Sequence, residues 1–405
     1  MTKSLLHALL VLTIALLSLV PLAACSPAPA AEPSPPAEPA ATSPPPEEPA
    51  DTPAPAATEA PVKSAAYPDY YPAEYEEIVE GSKAESPLVV YSAMAESNWK
   101  PVLDAFHELY PWIEVQTLDL GGSEAFERYY AESATGAQTT DLIIMPDPTG
   151  WLEFVKNRGE AMDYQSPETS YLPDWSMPFP GLYTVTTDPM LMLYNEQVLP
   201  EDLRPKGIAE LVEMATANPD LFNGKITTYD VVIPFAFGIN WAFVRDLGED
   251  TWDLLETLGP ITMPEQSGGT QLEKLTSGEY VVGYFVSSGV FPKLPDLEGI
   301  VGWSYIQDGT PVYLRGMAIP NAAKNVNSAK LMLDFLLSHD GQVAWGKGGL
   351  TPYRADVTTE ECPRTFYTIA QQIGGEDKMV LINYDEDAVA GQAAFVERWN
   401  QAFGR

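Results

Sequence analysis

The chain has 405 residues, 57 acidic against 22 basic side chains and a formal net charge of −35, and that long-range field excludes nucleic acid as a partner and disfavours an anionic lipid surface. Its two cysteines, Cys25 and Cys362, are too few for a disulfide framework, so stability has to come from packing. The length, less a leader and a linker, is enough for two α/β lobes.

In chain order, Lys3 precedes an apolar run over residues 8–22 that is too short for a spanning helix and ends in Leu22-Ala23-Ala24-Cys25. This pattern predicts a lipoprotein signal peptide over residues 1–24, with Cys25 as the lipid acceptor and first residue of the mature chain, outside the cytoplasmic membrane (periplasmic or cell-surface). Residues 25–66 are almost entirely Pro, Ala, Glu, Ser and Thr, a composition that cannot offset its ordering entropy and predicts a disordered linker. At ~3.1 Å per residue in polyproline geometry, that linker would reach on the order of 100 Å. Residues 74–80 predict a short helix, and Cys362, left without a partner, is expected to be a buried small apolar residue.

Strands are predicted over residues 88–91, 113–118 and 141–145, alternating with helices over 99–109, 124–134 and 151–156. That alternation implies a parallel sheet, whose ligands collect at the carboxyl ends of the strands, here the loops 92–97, 121–123 and 146–149. A long extended segment over 182–194 is read as crossing between lobes. Strands at 226–228 and 280–286 with helices at 240–247 and 252–258 form a second set. The region 299–316 returns the chain to the first lobe, and helices over 328–337 and 388–403 complete it. The expected divisions are 86–187 and 301–405 for lobe 1 and 188–300 for lobe 2.

Leu88-Val89-Val90-Tyr91-Ser92, Gly121-Gly122-Ser123 leading into a helix, Asp141-Leu142-Ile143-Ile144 and Met192-Leu193-Tyr194-Asn195 occur in a familiar order. With Leu275-Thr276-Ser277-Gly278-Glu279-Tyr280 and the helix ending in Ser338-His339-Asp340-Gly341, they resemble the extracellular solute-binding proteins of ABC importers. The branch is the type II one that includes ferric-ion-binding and phosphorylated-solute-binding members. The resemblance covers residues 88 to about 357. It implies an α/β, two-lobed type II periplasmic-binding-protein fold with lobes joined by two crossing strands. It also implies a monomer that closes on a small polar solute and presents it to an ABC permease, with no cofactor and no chemistry on the solute.

On that reading the first rim of the cleft comprises Ser92, Gly122, Ser123 and Asp147, at strand ends where backbone N–H groups and hydroxyls hold polar groups. The second comprises Thr228, Tyr229 and Asp230, the Ser267-Gly268-Gly269-Thr270 turn, and Ser287-Ser288. Trp241, Trp303 and Tyr305 are candidate stacking rings. Two departures bear on the solute. The ferric members carry an adjacent tyrosine pair where this chain has Ser287-Ser288, so no metal site is expected, with a ferric-binding protein as the alternative. Where many relatives carry an arginine, Asp188-Pro189 stands; a cleft-facing Asp188 suits an amine or hydroxyl.

An enzyme is not expected. His107 and His339 are the histidines of the mature chain, and no Gly-x-Ser-x-Gly, paired-histidine or phosphate-loop motif occurs. A ligand-sensing subunit without a transport role would have the same cleft, and neighbouring permease and ATPase genes would separate the two.

Overall fold

A computed structural model describes residues 67–121 and 123–405. The leader, Cys25, the linker and Gly122 therefore lie outside the described residues. Among the described residues, ten strands carry the fold: β1 (Leu88–Ser92), β2 (Val115–Asp119), β3 (Leu142–Met145), β4 (Tyr183–Asn195), β5 (Ile226–Tyr229), β6 (Thr262–Glu265), β7 (Val282–Ser287), β8 (Val301–Tyr305), β9 (Thr310–Ala318) and β10 (Met379–Ile382).

Two sheets share one strand. In the first, β1 lies between β2 and β3 and runs parallel to both; β9 pairs antiparallel with β3 and with the first half of β4, and parallel with β10. In the second, the other half of β4 pairs antiparallel with β7 and β8, and β5 lies parallel to both β7 and β6. The handover falls at Pro189, which pairs with Val312 while the next residue, Met190, already pairs with Ser287. A residue without an N–H donor is tolerated where one ladder ends and the next begins.

β4 reads as an almost unbroken buried run because both of its faces are covered. Its alternation sends Leu191 and Leu193 into a core with Trp99, Phe106, Phe335 and Trp345, and Met190 and Met192 into a second core with Ile226, Tyr284, Phe285 and Tyr313. β4 and β9 thus tie the lobes of a type II periplasmic-binding-protein fold. The helix Glu386–Ala402 docks its Phe395 and Trp399 beside Trp252 and Phe237, on the helices Thr251–Leu258 and Pro234–Leu247.

At the other end of the described chain, the helix Tyr75–Ser82 buries Tyr75 and Val79 in the first core. The following Glu85 accepts hydrogen bonds from the backbone N–H groups of Asn327 (3.2 Å) and Ser328 (2.8 Å), capping the helix Val326–Leu337. Tyr70 and Tyr71 donate to Glu168, whose fully buried carboxylate also pairs with Arg354.

Candidate functional site

The carboxyl ends of β1–β3 and of β5–β7 converge where β4 and β9 cross, and a buried polar cluster sits there. Asp188, 1% exposed, pairs in register with Tyr313. Its Oδ2 accepts from the Ser287 hydroxyl (2.7 Å), and its Oδ1 accepts from the Ser288 N–H (2.9 Å) and hydroxyl (2.7 Å). Arg315 Nη2 lies 3.6 Å from the Asp188 carboxylate. The turn reaches Asp188 because β7 is distorted just before it: Phe285 has φ 58°, and the β4–β7 register slips between Leu191 and Leu193. Such irregularities re-aim the residues that follow them.

Arg315 is 5% exposed. Its Nη1 donates to the Ala93 carbonyl at the end of β1 (3.1 Å), and its Nε has no hydrogen-bond partner. Opposite it in the ladder stands Thr186, whose buried hydroxyl also has none. Burial pulls the Arg315 pKa down, while the Asp188 and Asp119 carboxylates hold its charge in place. An unused donor on a buried guanidinium is costly unless something is bound there.

Beside this pair, Phe235 stacks on Tyr313 with ring centroids 4.4 Å apart and meets Tyr229 edge-on at 5.2 Å. Burial first, and then the nearby Asp188, raises the Tyr229 pKa, so its hydroxyl stays protonated. Gly268 comes so close that a Cβ there would lie 2.5 Å from the Tyr229 hydroxyl oxygen.

The structure therefore brings Asp188, Ser287, Ser288, Tyr229 and Gly268 together. Ser267 caps the helix Gly268–Ser277, accepting from the Thr270 N–H (3.1 Å) and sharing a hydrogen bond with its hydroxyl (2.9 Å); Gly269 lies in the same first turn. The remaining residues make no hydrogen bond to the cluster among the described residues, although the Asp147 carboxylate is near enough to act on Tyr313. Ser92 is buried and accepts from Trp99 Nε1 (3.0 Å). Ser123 is exposed and donates to Glu127 (2.7 Å). Asp147 caps a short helix through the Gly150 N–H (2.9 Å), and its burial raises its pKa. Thr228 is fully buried, and Asp230 is engaged by Arg405 (2.7 Å) and Gln266 (3.3 Å).

Of the candidate rings, Trp241 donates to Asp385 (3.0 Å), and Trp303 and Tyr305 pack on each other with Phe291 behind. Neither Trp303 nor Tyr305 joins the Asp188 cluster. Arg315, Thr186, Tyr313 and Phe235 were not singled out from the sequence. The available signal was an arginine inside the strand Thr310–Ala318, every residue of which is buried.

Among the described residues, no three His, Cys, Asp or Glu side chains are grouped to hold a metal ion, and no helix is long and apolar enough to cross a membrane.

A double-wound pair of sheets closing on a buried polar cluster defines a two-lobed binding protein, and the chain belongs to the bacterial extracellular solute-binding protein family, which residues 92–343 match. An uncharacterized protein of Haemophilus influenzae is 31% identical over 168 residues, 39% of this chain and 45% of that protein, so the match spans less than half of that relative's length. A probable ABC transporter periplasmic-binding protein of Sinorhizobium fredii is 24% identical over 255 residues, 59% of this chain and 67% of that one.

Among solved structures, the substrate binding protein of an ABC transporter from Agrobacterium tumefaciens superposes with a TM-score of 0.69 at 22% identity, covering 80% of this chain and 96% of that one. Iron-bound HitA from Pseudomonas aeruginosa gives 0.62 at 16% identity, covering 76% and 99%. AfuA from Actinobacillus pleuropneumoniae with fructose-6-phosphate gives 0.61 at 21%, covering 78% and 98%. These structures share the fold. The family is in general one of binding proteins rather than enzymes.

Proposed function

We propose that this protein captures a small polar solute carrying an anionic group and delivers it to an ABC importer, held outside the cytoplasmic membrane by a lipid on Cys25. The observation that carries the reading is Arg315: a buried guanidinium between the lobes, with one donor unused and an unpartnered threonine hydroxyl opposite. Asp188 is already engaged by Ser287, Ser288 and Arg315, so it positions the arginine and the serine turn rather than offering a free carboxylate. That turns the expectation from an amine-bearing solute to one with a carboxylate or phosphate.

Binding would work by population shift: a solute touching Arg315 on one side and the Ser287–Ser288 turn on the other favours the closed form by its excess affinity for that form. A permease would then read closure. Ferric iron as the solute is disfavoured by the same residues. Ser287-Ser288 stands where the resemblance places the tyrosine pair of the ferric members, so the phenolate ligands of that site are missing here.

A thermal-shift screen tests this reading with sugar phosphates, phosphonates, dicarboxylates, citrate alone, polyamines and ferric citrate. A solute at 100 times its Kd should stabilise the folded protein by about 2.7 kcal/mol. A response confined to polyamines or to ferric iron would refute the anion reading.

A further inference from the structure

Away from the cleft, on the side where the described chain begins, a cavity of about 340 Å³ is lined by Tyr67, Tyr70, Tyr71, Tyr110, Phe335 and Asp340, among others. We propose that it is a second binding site, for a small soluble quaternary ammonium compound of the size of choline.

The polar ends of its tyrosines are largely committed elsewhere. Tyr67 donates to Glu76 (3.0 Å), and Tyr70 and Tyr71 donate to the buried Glu168. What these residues bring to the cavity is therefore ring surface, whose negative quadrupole face attracts a cation. The rings also hold one another in place. Tyr71 lies 6.0 Å from Tyr67 in a stacked pair and 5.2 Å from Tyr70 edge-on.

The charge around the cavity matches a cation. Asp340 lies in the first turn of the helix His339–Lys347, with a well-exposed side chain. His339 contacts it at 3.2 Å and contacts Glu361 at 3.4 Å, so two carboxylates attend one imidazole. No lysine or arginine is among the lining residues, and His339, which does line the cavity, is held between the Asp340 and Glu361 carboxylates. The chain's net charge of −35 adds a field that gathers cations. A quaternary ammonium fits better than a primary one, because the lining offers few acceptors to replace the hydration of three N–H donors.

The test is isothermal titration of the purified protein with choline, tetramethylammonium and the neutral isostere 3,3-dimethylbutanol. Both cations should bind, with the neutral compound at least about tenfold weaker. Tyr70→Leu should weaken choline about tenfold; it also removes a hydroxyl that donates to the buried Glu168, so the melting temperature should fall by a few degrees with the fold retained by circular dichroism. Asp340→Asn should weaken it several-fold at low salt and less at high salt. Arg315→Lys, which alters the cleft but keeps its charge, should leave it unchanged. Equal binding of the neutral compound, no loss in both Tyr70→Leu and Asp340→Asn, loss in a folded Arg315→Lys, or no binding at millimolar choline would each overturn the proposal. The first group of results is independent of whether the cleft takes an anion, so failure here leaves that reading standing.

Discussion

Asp188 and Arg315 face each other from the two crossing strands, with 3.6 Å between carboxylate and guanidinium and both side chains almost wholly withdrawn from solvent. A buried pair of this kind is weak evidence for stability, because desolvation offsets the attraction, but breaking it is expensive. Three hydrogen bonds from the Ser287–Ser288 turn also end on the same carboxylate.

Asp188→Ala should therefore lower the unfolding free energy by about 3–5 kcal/mol, since it strands a buried cation and frees the serine turn. Replacing both partners by apolar residues, Asp188→Leu with Arg315→Met, should recover a large part of that loss. Urea unfolding of the two variants measures it. A single-mutant cost below about 1 kcal/mol would mean that the pair does not organise the site.

Asp334 gives stability a pH dependence. It is fully buried in the helix Val326–Leu337, and its Oδ2 accepts from Tyr75 (2.8 Å) and Tyr164 (2.6 Å). Burial outweighs these hydrogen bonds and pushes its pKa up to about 7. The folded state then keeps a proton that the unfolded chain releases near its ordinary 3.8, so this contribution is complete below roughly pH 4 and is lost as pH rises through about 7. Asp334→Asn removes the titration, and its melting temperature relative to wild type should rise between pH 5 and pH 8. A constant difference would contradict the assignment. Glu132 and Glu265, whose pKa values are lowered on balance, act in the opposite sense and at more acid pH.

Gly268→Ala is predicted to weaken solute binding without unfolding the protein. The added methyl would lie 2.5 Å from the Tyr229 hydroxyl oxygen, and that ring packs on Phe235 beside Asp188. The expected loss is several-fold in affinity with a melting temperature within a few degrees of wild type, because the helix start itself tolerates alanine. Unchanged affinity for a solute identified by screening would place Tyr229 outside the site.

Cys362 should be inert. It is 4% exposed, and burial raises its thiol pKa. Mass spectrometry of its peptide after iodoacetamide treatment at pH 8 should show little alkylation in the native protein and full alkylation in urea. Rapid native labelling would mean that the loop around it opens.

The strands were legible where one pattern sufficed. The extended run predicted over residues 182–194 corresponds to β4 at Tyr183–Asn195, and the helix predicted over 124–134 is Glu124–Ala134. What could not be read is contact between distant residues. Arg315 lies 127 positions beyond Asp188, as their residue numbers show, and a lone arginine among buried neighbours does not name its partner. The same holds for Glu168, which gathers the adjacent Tyr70 and Tyr71 and the distant Arg354 from two separate parts of the chain. Turn residues were the least readable. Ser123 comes after β2 and Ser287 ends β7, yet one faces solvent with Glu127 and the other is tied to Asp188 just past the distortion at Phe285.

Calorimetric titration of the best anionic solute from the screen against wild type and Arg315→Lys probes the central claim most directly, because lysine keeps the charge but loses the planar donor set. The account predicts measurable binding to the wild type and an affinity at least about tenfold lower in the variant, with the fold retained by circular dichroism. Equal affinity in the two proteins would contradict it.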